Sequence, residues 1–233
     1  MKKISFLSSN ALKMIALVSM TLDHIGMLLF PRLSVFRILG RLALPIFAYM
    51  VGEGCVHTKS KAKYLMRLAL LGVLMQIVYH LTQSDLFFNI FLTFSVSVLL
   101  CMAYDFTVKT VFLKSKALGV LFLSAAVFSA WMLTGGLNTL FRINVGFDGG
   151  AFGVFLPLAV YAVKDKRLKL AALCAVCVLM SVDLGRIQWF SLFAVVPLLF
   201  YNGERGRLKL KYFFYAYYPL HIALIYAISL LLK

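Results

Sequence analysis

Apolar runs of membrane-crossing length follow one another along almost the whole chain, parted only by short basic turns. They fall at approximately 11–30, 34–54, 64–82, 87–104, 117–134, 148–163, 168–183, 187–201 and 211–232. Crossing hydrocarbon takes about 20 apolar residues per helix, because lipid offers no partner to an unsatisfied backbone N–H or C=O. The pattern leaves no room for a separate soluble domain. It predicts a single integral membrane domain over 1–233, an all-α polytopic transmembrane bundle of about nine spans. Composition agrees, since 63% of the 233 residues are apolar, against about 45–50% in soluble domains.

The charges orient the bundle. Lys2 and Lys3, then Lys59, Lys61, Lys63 and Arg67, then Lys109, Lys114 and Lys116, then Lys164, Lys166, Arg167 and Lys169, and finally Arg205, Arg207, Lys209 and Lys211 fall on alternate turns. These are seventeen of the 24 Lys and Arg. The intervening turns hold only Arg32, Arg142, Arg186 and Lys233, while Lys13, Arg37 and Arg41 lie within runs. Basic residues collect on the cytoplasmic side of a membrane protein, so the N-terminus is expected in the cytoplasm and the C-terminus outside. The same clustering accounts for the net charge of +16 without nucleic acid, which would need a continuous basic face to read. Lys2 and Lys3 before an apolar stretch resemble the start of a signal peptide. Lys13, Asp23 and His24 inside that stretch, with no small-residue cleavage site after it, favour a permanent span. Cys174 and Cys177 form a CxxC with no His, Lys or Asp beside it, which reads as core packing rather than a metal or redox site.

Ionisable side chains inside such runs are costly and mark functional positions by default. The first run carries three: Lys13, Asp23 and His24. Eleven residues separate Lys13 from His24; a helix brings them to within about 20° of one face and about 16 Å apart along the axis. A cation at the cytoplasmic mouth and a titratable base past the midplane suit an elongated ligand with an anionic head and a reactive tail. Coenzyme A has that shape. His24 is the natural general base, its ordinary titration range lying near working pH. Asp23 points about 100° round the helix from His24, towards a cation on another span.

Arg37 and Arg41 share a face at i, i+4 in the second run and need an anion or carbonyl partner. Asp23 is one candidate; the oxyanion of an acyl-transfer step is another. Pro45 is expected to kink this span. At its cytoplasmic end come Glu53 and His57, then Lys59, Lys61, Lys63 and Arg67, either phosphate-holding residues or ordinary cytoplasmic charge. The last run places Tyr217 and Tyr218 four and three residues before His221, a second candidate for proton handling. Asp148, Gly149 and Gly150 open the sixth run as a helix start or an acceptor contact, and His80 beside Tyr79 reads as interfacial. Gln76, Asn89 and Thr93 add polarity to the outer half without a role that singles them out.

The segments LKMIALVSMTLDHIG, RILGRLALPIFAYMVGEGCVHTKSKAKYLMRLALL, FDGGAFGV and KYFFYAYYPLHIALIY, in that order, resemble the TraX family. Its namesake is associated with N-terminal acetylation of conjugative pilin. More distantly, a basic residue, ten intervening residues and a His in the first span is similar to the motif of the transmembrane acyltransferase superfamily, in which the His is taken as catalytic. The resemblance implies acetyl transfer from cytoplasmic acetyl-CoA. His24, Asp23, Arg41 and His221 would form the catalytic set, and Lys13 would stand where arginine is common in the superfamily, losing bidentate phosphate geometry. Lys59, Lys61, Lys63 and Arg67 complete the expected cofactor contacts, with no metal. The expectation is thus a bacterial plasma-membrane acetyltransferase that acts on an amine or hydroxyl of an exported peptide or surface polymer. Two other readings stand beside it. A proton-coupled transporter would use the same buried Asp, His and Arg as a relay, and a non-catalytic scaffold would need none of them.

Overall fold

The computed structural model of the chain describes residues 5–82, 87–111, 114–136, 140, 146–208 and 210–232. Lys2, Lys3, Arg142, Lys209 and Lys233, part of the charge pattern above, lie outside these, as do the side chains of Tyr79, His80 and Lys211. Among the described residues the structure is all-α apart from a two-residue parallel pairing of Phe87–Phe88 with Gly146–Phe147 and an isolated bridge between Leu7 and Tyr201. Helical structure occupies each of the nine apolar runs: Ser9–Leu28, Ser34–Gly40 with Ala43–His57, Lys61–Thr82, Ile90–Phe106, Lys116–Trp131, Gly150–Ala162, Lys166–Leu184, a 3₁₀ stretch Arg186–Ala194 continued by Val195–Leu199, and Lys211–Leu231. Among the described residues, five helices are long and apolar enough to cross a membrane: Ser9–Leu28, Ser34–His57, Ile90–Lys109, Lys116–Thr134 and Tyr212–Leu231. Gly150–Ala162 and Arg186–Leu199 are apolar but shorter.

The backbone divides into two compact units, residues 1–50 with 177–233 and residues 51–176. In the first, the Ser9–Leu28 helix starts on a Ser8 cap, whose Oγ accepts from the Ala11 N–H, and packs against the Ser34–Gly40 helix and the last helix. Lipid gives no hydrophobic drive between helices, so close backbone approach and interhelical hydrogen bonds hold them. Both are present here. Ser19 Oγ donates to the Leu39 carbonyl at 2.5 Å. A Cβ on Gly40 would strike the Asp23 carboxyl, and one on Gly26 would lie 2.6 Å from Phe36 Cβ.

The second run is broken rather than kinked. The helix ends at Gly40, turns through Arg41 and Leu42, and restarts at Ala43. Pro45 therefore falls in a first turn, where its missing N–H leaves no intrahelical bond unmade. The expected kink at Pro45 is replaced by an interruption four residues earlier, which places Arg41 at a helix end.

In the second unit, Leu100, Ala130 and Val154 pack into a core flanked by Val96, Ala126, Phe155 and Leu158. Ser97 Oγ ties two of these helices by donating to the Val154 carbonyl at 2.8 Å. Asn89, buried, caps the Ile90–Phe106 helix through Oδ1 and donates from Nδ2 to the Gly72 carbonyl at 2.8 Å and to Gln76 Oε1 at 3.1 Å. Asp148 and the left-handed Gly149 form the turn that starts Gly150–Ala162, and Thr93 Oγ1 donates to the Asp148 carbonyl at 3.2 Å. Gly40 tests the packing of the first unit directly: Gly40→Ala is expected to cost about 1–3 kcal/mol through overpacking, read as a lowered thermal midpoint in detergent, whereas Leu39→Ala on the exposed side should leave it near wild type.

Candidate functional site

Asp23, His24, Arg41 and His221 all belong to the first unit, and the structure gathers them into two adjoining groups. Asp23 accepts from both arginines of the short helix: Arg37 Nη1 reaches Oδ2 at 2.7 Å, and Arg41 Nη2 reaches Oδ1. All three side chains are largely shielded, the most open being Arg37 at 28%. Arg41 is fixed at two further points, by Nε donating to the Arg37 carbonyl at 3.3 Å and by Nη1 donating to the Gln188 side-chain oxygen at 3.4 Å. Of the two partners expected for the arginines, Asp23 is the one present. The pair of guanidiniums outnumbers the single carboxylate, so the group keeps one net positive charge beside His24.

The second group joins the first and last helices. His24 Nδ1 lies 2.9 Å from His221 Nε2, and His221 Nδ1 lies 2.9 Å from the Tyr217 backbone carbonyl. The carbonyl can only accept, so His221 Nδ1 carries the proton. In a neutral ring Nε2 is then a bare lone pair, and it accepts from a proton on His24 Nδ1. The chain of bonds leaves His24 Nε2 as a lone pair, with no partner among the described residues. That is the protonation pattern of a general base whose other nitrogen is held by an orienting group. The Tyr217 ring stacks on His221 with centroids 5.1 Å apart, and the Tyr218 ring stands nearly perpendicular to both imidazoles. Tyr217 Oη lies 3.0 Å from Thr21 Oγ1, whose own proton goes to the Leu17 carbonyl, so Tyr217 is the donor. His221 is buried; His24 is partly open.

Lys13 sits on the first helix as expected, its Nζ 5.9 Å over the Phe214 ring of the last helix, a cation–π contact. Met20, on the stripe between Lys13 and His24, is buried; Met27 beyond His24 is exposed.

The other four expected cofactor contacts belong to the second unit and differ among themselves. Lys59 and Lys63 are exposed, and Arg67 turns back to donate to the Lys63 carbonyl at 3.0 Å. Lys61 is engaged: its Nζ lies 2.8 Å from Asp105 Oδ2 and 5.0 Å over the Tyr161 ring. Asp105 also takes Tyr161 Oη at 2.5 Å and Lys109 at 3.3 Å. Burial works against the Lys61 charge, but the Asp105 carboxylate and the Tyr161 hydroxyl outweigh it and hold the ammonium above the ordinary lysine range. Glu53 forms a buried ion pair with Lys169, with His57 3.5 Å from its other oxygen.

Residue types and spacing pointed to Asp23, His24, Arg37, Arg41 and His221 and offered Asp23 as a partner for the arginines, but they gave neither the His24–His221 contact nor the parts played by Asp105 and Tyr161. The His24–His221 bond spans 197 residues of chain, and its only sequence trace is that both histidines lie within apolar runs. Gln188 was missed; a lone amide two residues into the run after SVDLGR was its signal.

The TraX protein family matches residues 8–229 of the chain. A protein of Dichelobacter nodosus described as "probable fimbrial assembly protein FimC, serogroup H1" is 29% identical, the alignment covering 97% of each chain. An uncharacterised protein of Rickettsia prowazekii is 37% identical over 84 residues, 36% of this chain and 30% of its own. No solved structure matches.

The ion-pair group makes a stability prediction. Asp23→Ala leaves two shielded guanidiniums without their carboxylate and is expected to cost about 3–5 kcal/mol. Replacing all three with apolar residues (Asp23→Leu, Arg37→Met, Arg41→Met) should recover most of that loss, read by chemical or thermal unfolding in one detergent.

Proposed function

The chain belongs to the TraX family, and from that membership we propose that it is a membrane-embedded acetyltransferase, moving an acetyl group from cytoplasmic acetyl-CoA to an amine or hydroxyl of an exported or membrane-associated acceptor. The kinship with a protein described as acting in fimbrial assembly supports a peptide acceptor among the possible ones. The observation that carries the reading is the bare His24 Nε2, set by the chain from the Tyr217 carbonyl through His221.

In the proposed reaction His24 Nε2 takes the proton of the acceptor amine or hydroxyl as that group attacks the thioester carbonyl. The resulting imidazolium is stabilised through Nδ1 by His221, which positions the base without touching substrate. Arg41, with three of its five donors committed, has two left for the developing oxyanion. Collapse of the tetrahedral intermediate breaks the carbon–sulfur bond. The leaving thiolate recovers the proton from His24 as coenzyme A. Lys13, on the cytoplasmic side of His24 along one helix, contacts the phosphate-bearing end. The transporter reading parts from this one at a single observation: a transporter has no reason to bind acetyl-CoA in a Lys13-dependent way.

The proposed setting is a bacterial plasma membrane, crossed nine times with the N-terminus inside and the C-terminus outside. The seventeen-to-four bias of basic residues supports it. Alkaline phosphatase fused after Lys233 should then be active and the same reporter after Arg205 inactive; the reverse pattern rejects the topology.

His24→Ala is expected to lower acetyl-CoA turnover by about 10²–10⁴-fold in purified protein; undiminished turnover removes the assignment. His221→Phe should cause a smaller fall in kcat and shift the acid limb of the pH profile, because His24 then loses the acceptor that fixes its tautomer. A purely packing role for His221 would leave the profile where it was.

A further inference from the structure

Outside the groups already described, one cluster of cations is held on a fixed backbone in the first unit. Residues 202–208, NGERGRL, bind along the start of the first helix. Leu7 N–H donates to the Phe200 carbonyl at 3.0 Å, and Asn202 N–H donates back to the Leu7 carbonyl at 2.9 Å. Ser9 and Asn10 N–H donate to the Glu204 and Arg205 carbonyls at 2.7 and 3.1 Å, and Asn10 Nδ2 donates to the Leu208 carbonyl at 2.6 Å. Asn202 Oδ1 closes the turn by accepting from the Glu204 N–H at 2.8 Å. Gly206 has φ 90°, and a Cβ there would lie 2.7 Å from Ser8 Oγ. These bonds satisfy the N–H groups that open the first helix and hold the turn's backbone against it.

What the turn presents is positive charge. Arg205 and Arg207 are exposed on it, and Lys13 lies one helical turn beyond Ser9, on the helix whose start the turn binds. No carboxylate forms an ion pair with Lys13, Arg205 or Arg207 among the described residues, Glu204 on the same turn included. Bringing like charges together on rigid backbone is unfavourable unless an anion completes the group. Arginine suits phosphate in particular, through two parallel N–H donors. Here the arginines supply the bidentate geometry that Lys13 lacks.

We propose that residues 202–208, together with Lys13, form a phosphate-binding site at the cytoplasmic end of the first helix, with Arg205 and Arg207 as its principal ligands. The source of the phosphate is the nucleotide end of the acyl donor, which rests on the acetyltransferase reading and puts the anchoring cations in the same unit as His24. An anionic lipid headgroup offers the same chemistry, and the experiment separates the two.

Binding of adenosine 3′,5′-bisphosphate is measured on the full chain in nanodiscs of phosphatidylcholine, and again with phosphatidylglycerol added. Arg205→Gln with Arg207→Gln is expected to weaken binding about tenfold or more, as two charge-assisted contacts are lost. Glu204→Gln, which removes the only acid of the turn, should strengthen it. This opposite response separates a binding effect from misfolding. Nucleotide binding that the double Arg variant leaves unchanged overturns the site even if acetyl-CoA is turned over, leaving the acetyltransferase reading intact. If phosphatidylglycerol binds in an Arg205- and Arg207-dependent way and the bisphosphate does not bind at all, the phosphate site stands, its occupant is lipid, and the link to the acyl donor falls. Wild-type protein that binds neither probe overturns the proposal.

Discussion

One carboxylate held by two arginines sets the geometry on which the candidate site depends. In a helix that lipid would otherwise leave free to rotate, the Asp23 bonds to Arg37 and Arg41 fix which way the first helix faces. Residue 24 follows about 100° further round, which delivers the His24 ring to the last helix and to His221. The ion-pair group and the histidine pair are thus consecutive residues serving two directions. Gly40 permits the arrangement, because no larger residue fits against the Asp23 carboxyl. A buried group of this kind contributes little net stability when the alternative is well-packed apolar contact. Its value lies in position, and in the positive charge it leaves next to His24.

The histidine pair then converts a buried polar contact into a directed one. A backbone carbonyl cannot donate, so the Tyr217 carbonyl imposes a tautomer on His221, and His221 imposes one on His24. Neither ring needs a carboxylate for this. The Tyr217 side chain contributes separately, its hydroxyl bound to Thr21 and its ring stacked on His221, so one residue braces both helices of the pair.

Much of this was legible in the chain itself. Among the described residues, helical structure occupies each apolar run, and the i, i+4 spacing of Arg37 and Arg41 called for an anion or carbonyl partner, with Asp23 among the candidates. What spacing cannot carry is contact between distant segments. His24 and His221 were each identifiable, but no local pattern says that two histidines nearly two hundred residues apart will share a proton. The interruption at Arg41 was also hidden, since Pro45 is the stronger local signal and the break comes before it. The basic residues illustrate the converse. Lys59, Lys61, Lys63 and Arg67 look alike in sequence, yet Lys61 is taken up by Asp105 and Tyr161 whereas Lys59 and Lys63 stay exposed. In sequence Arg205 and Arg207 read as ordinary cytoplasmic charge; the backbone bonds from Ser9 and Asn10 tie their turn to the start of the first helix.

The central claim is that His24 offers a bare Nε2 because His221 accepts from its Nδ1. Nitrogen-15 NMR of histidine-labelled protein in bilayers reads this directly, with His24 and His221 assigned through single substitutions. The account predicts two neutral rings, both protonated at Nδ1, with His24 Nδ1 hydrogen-bonded to a nitrogen acceptor. A His24 ring protonated at Nε2, with Nδ1 bare, would contradict it.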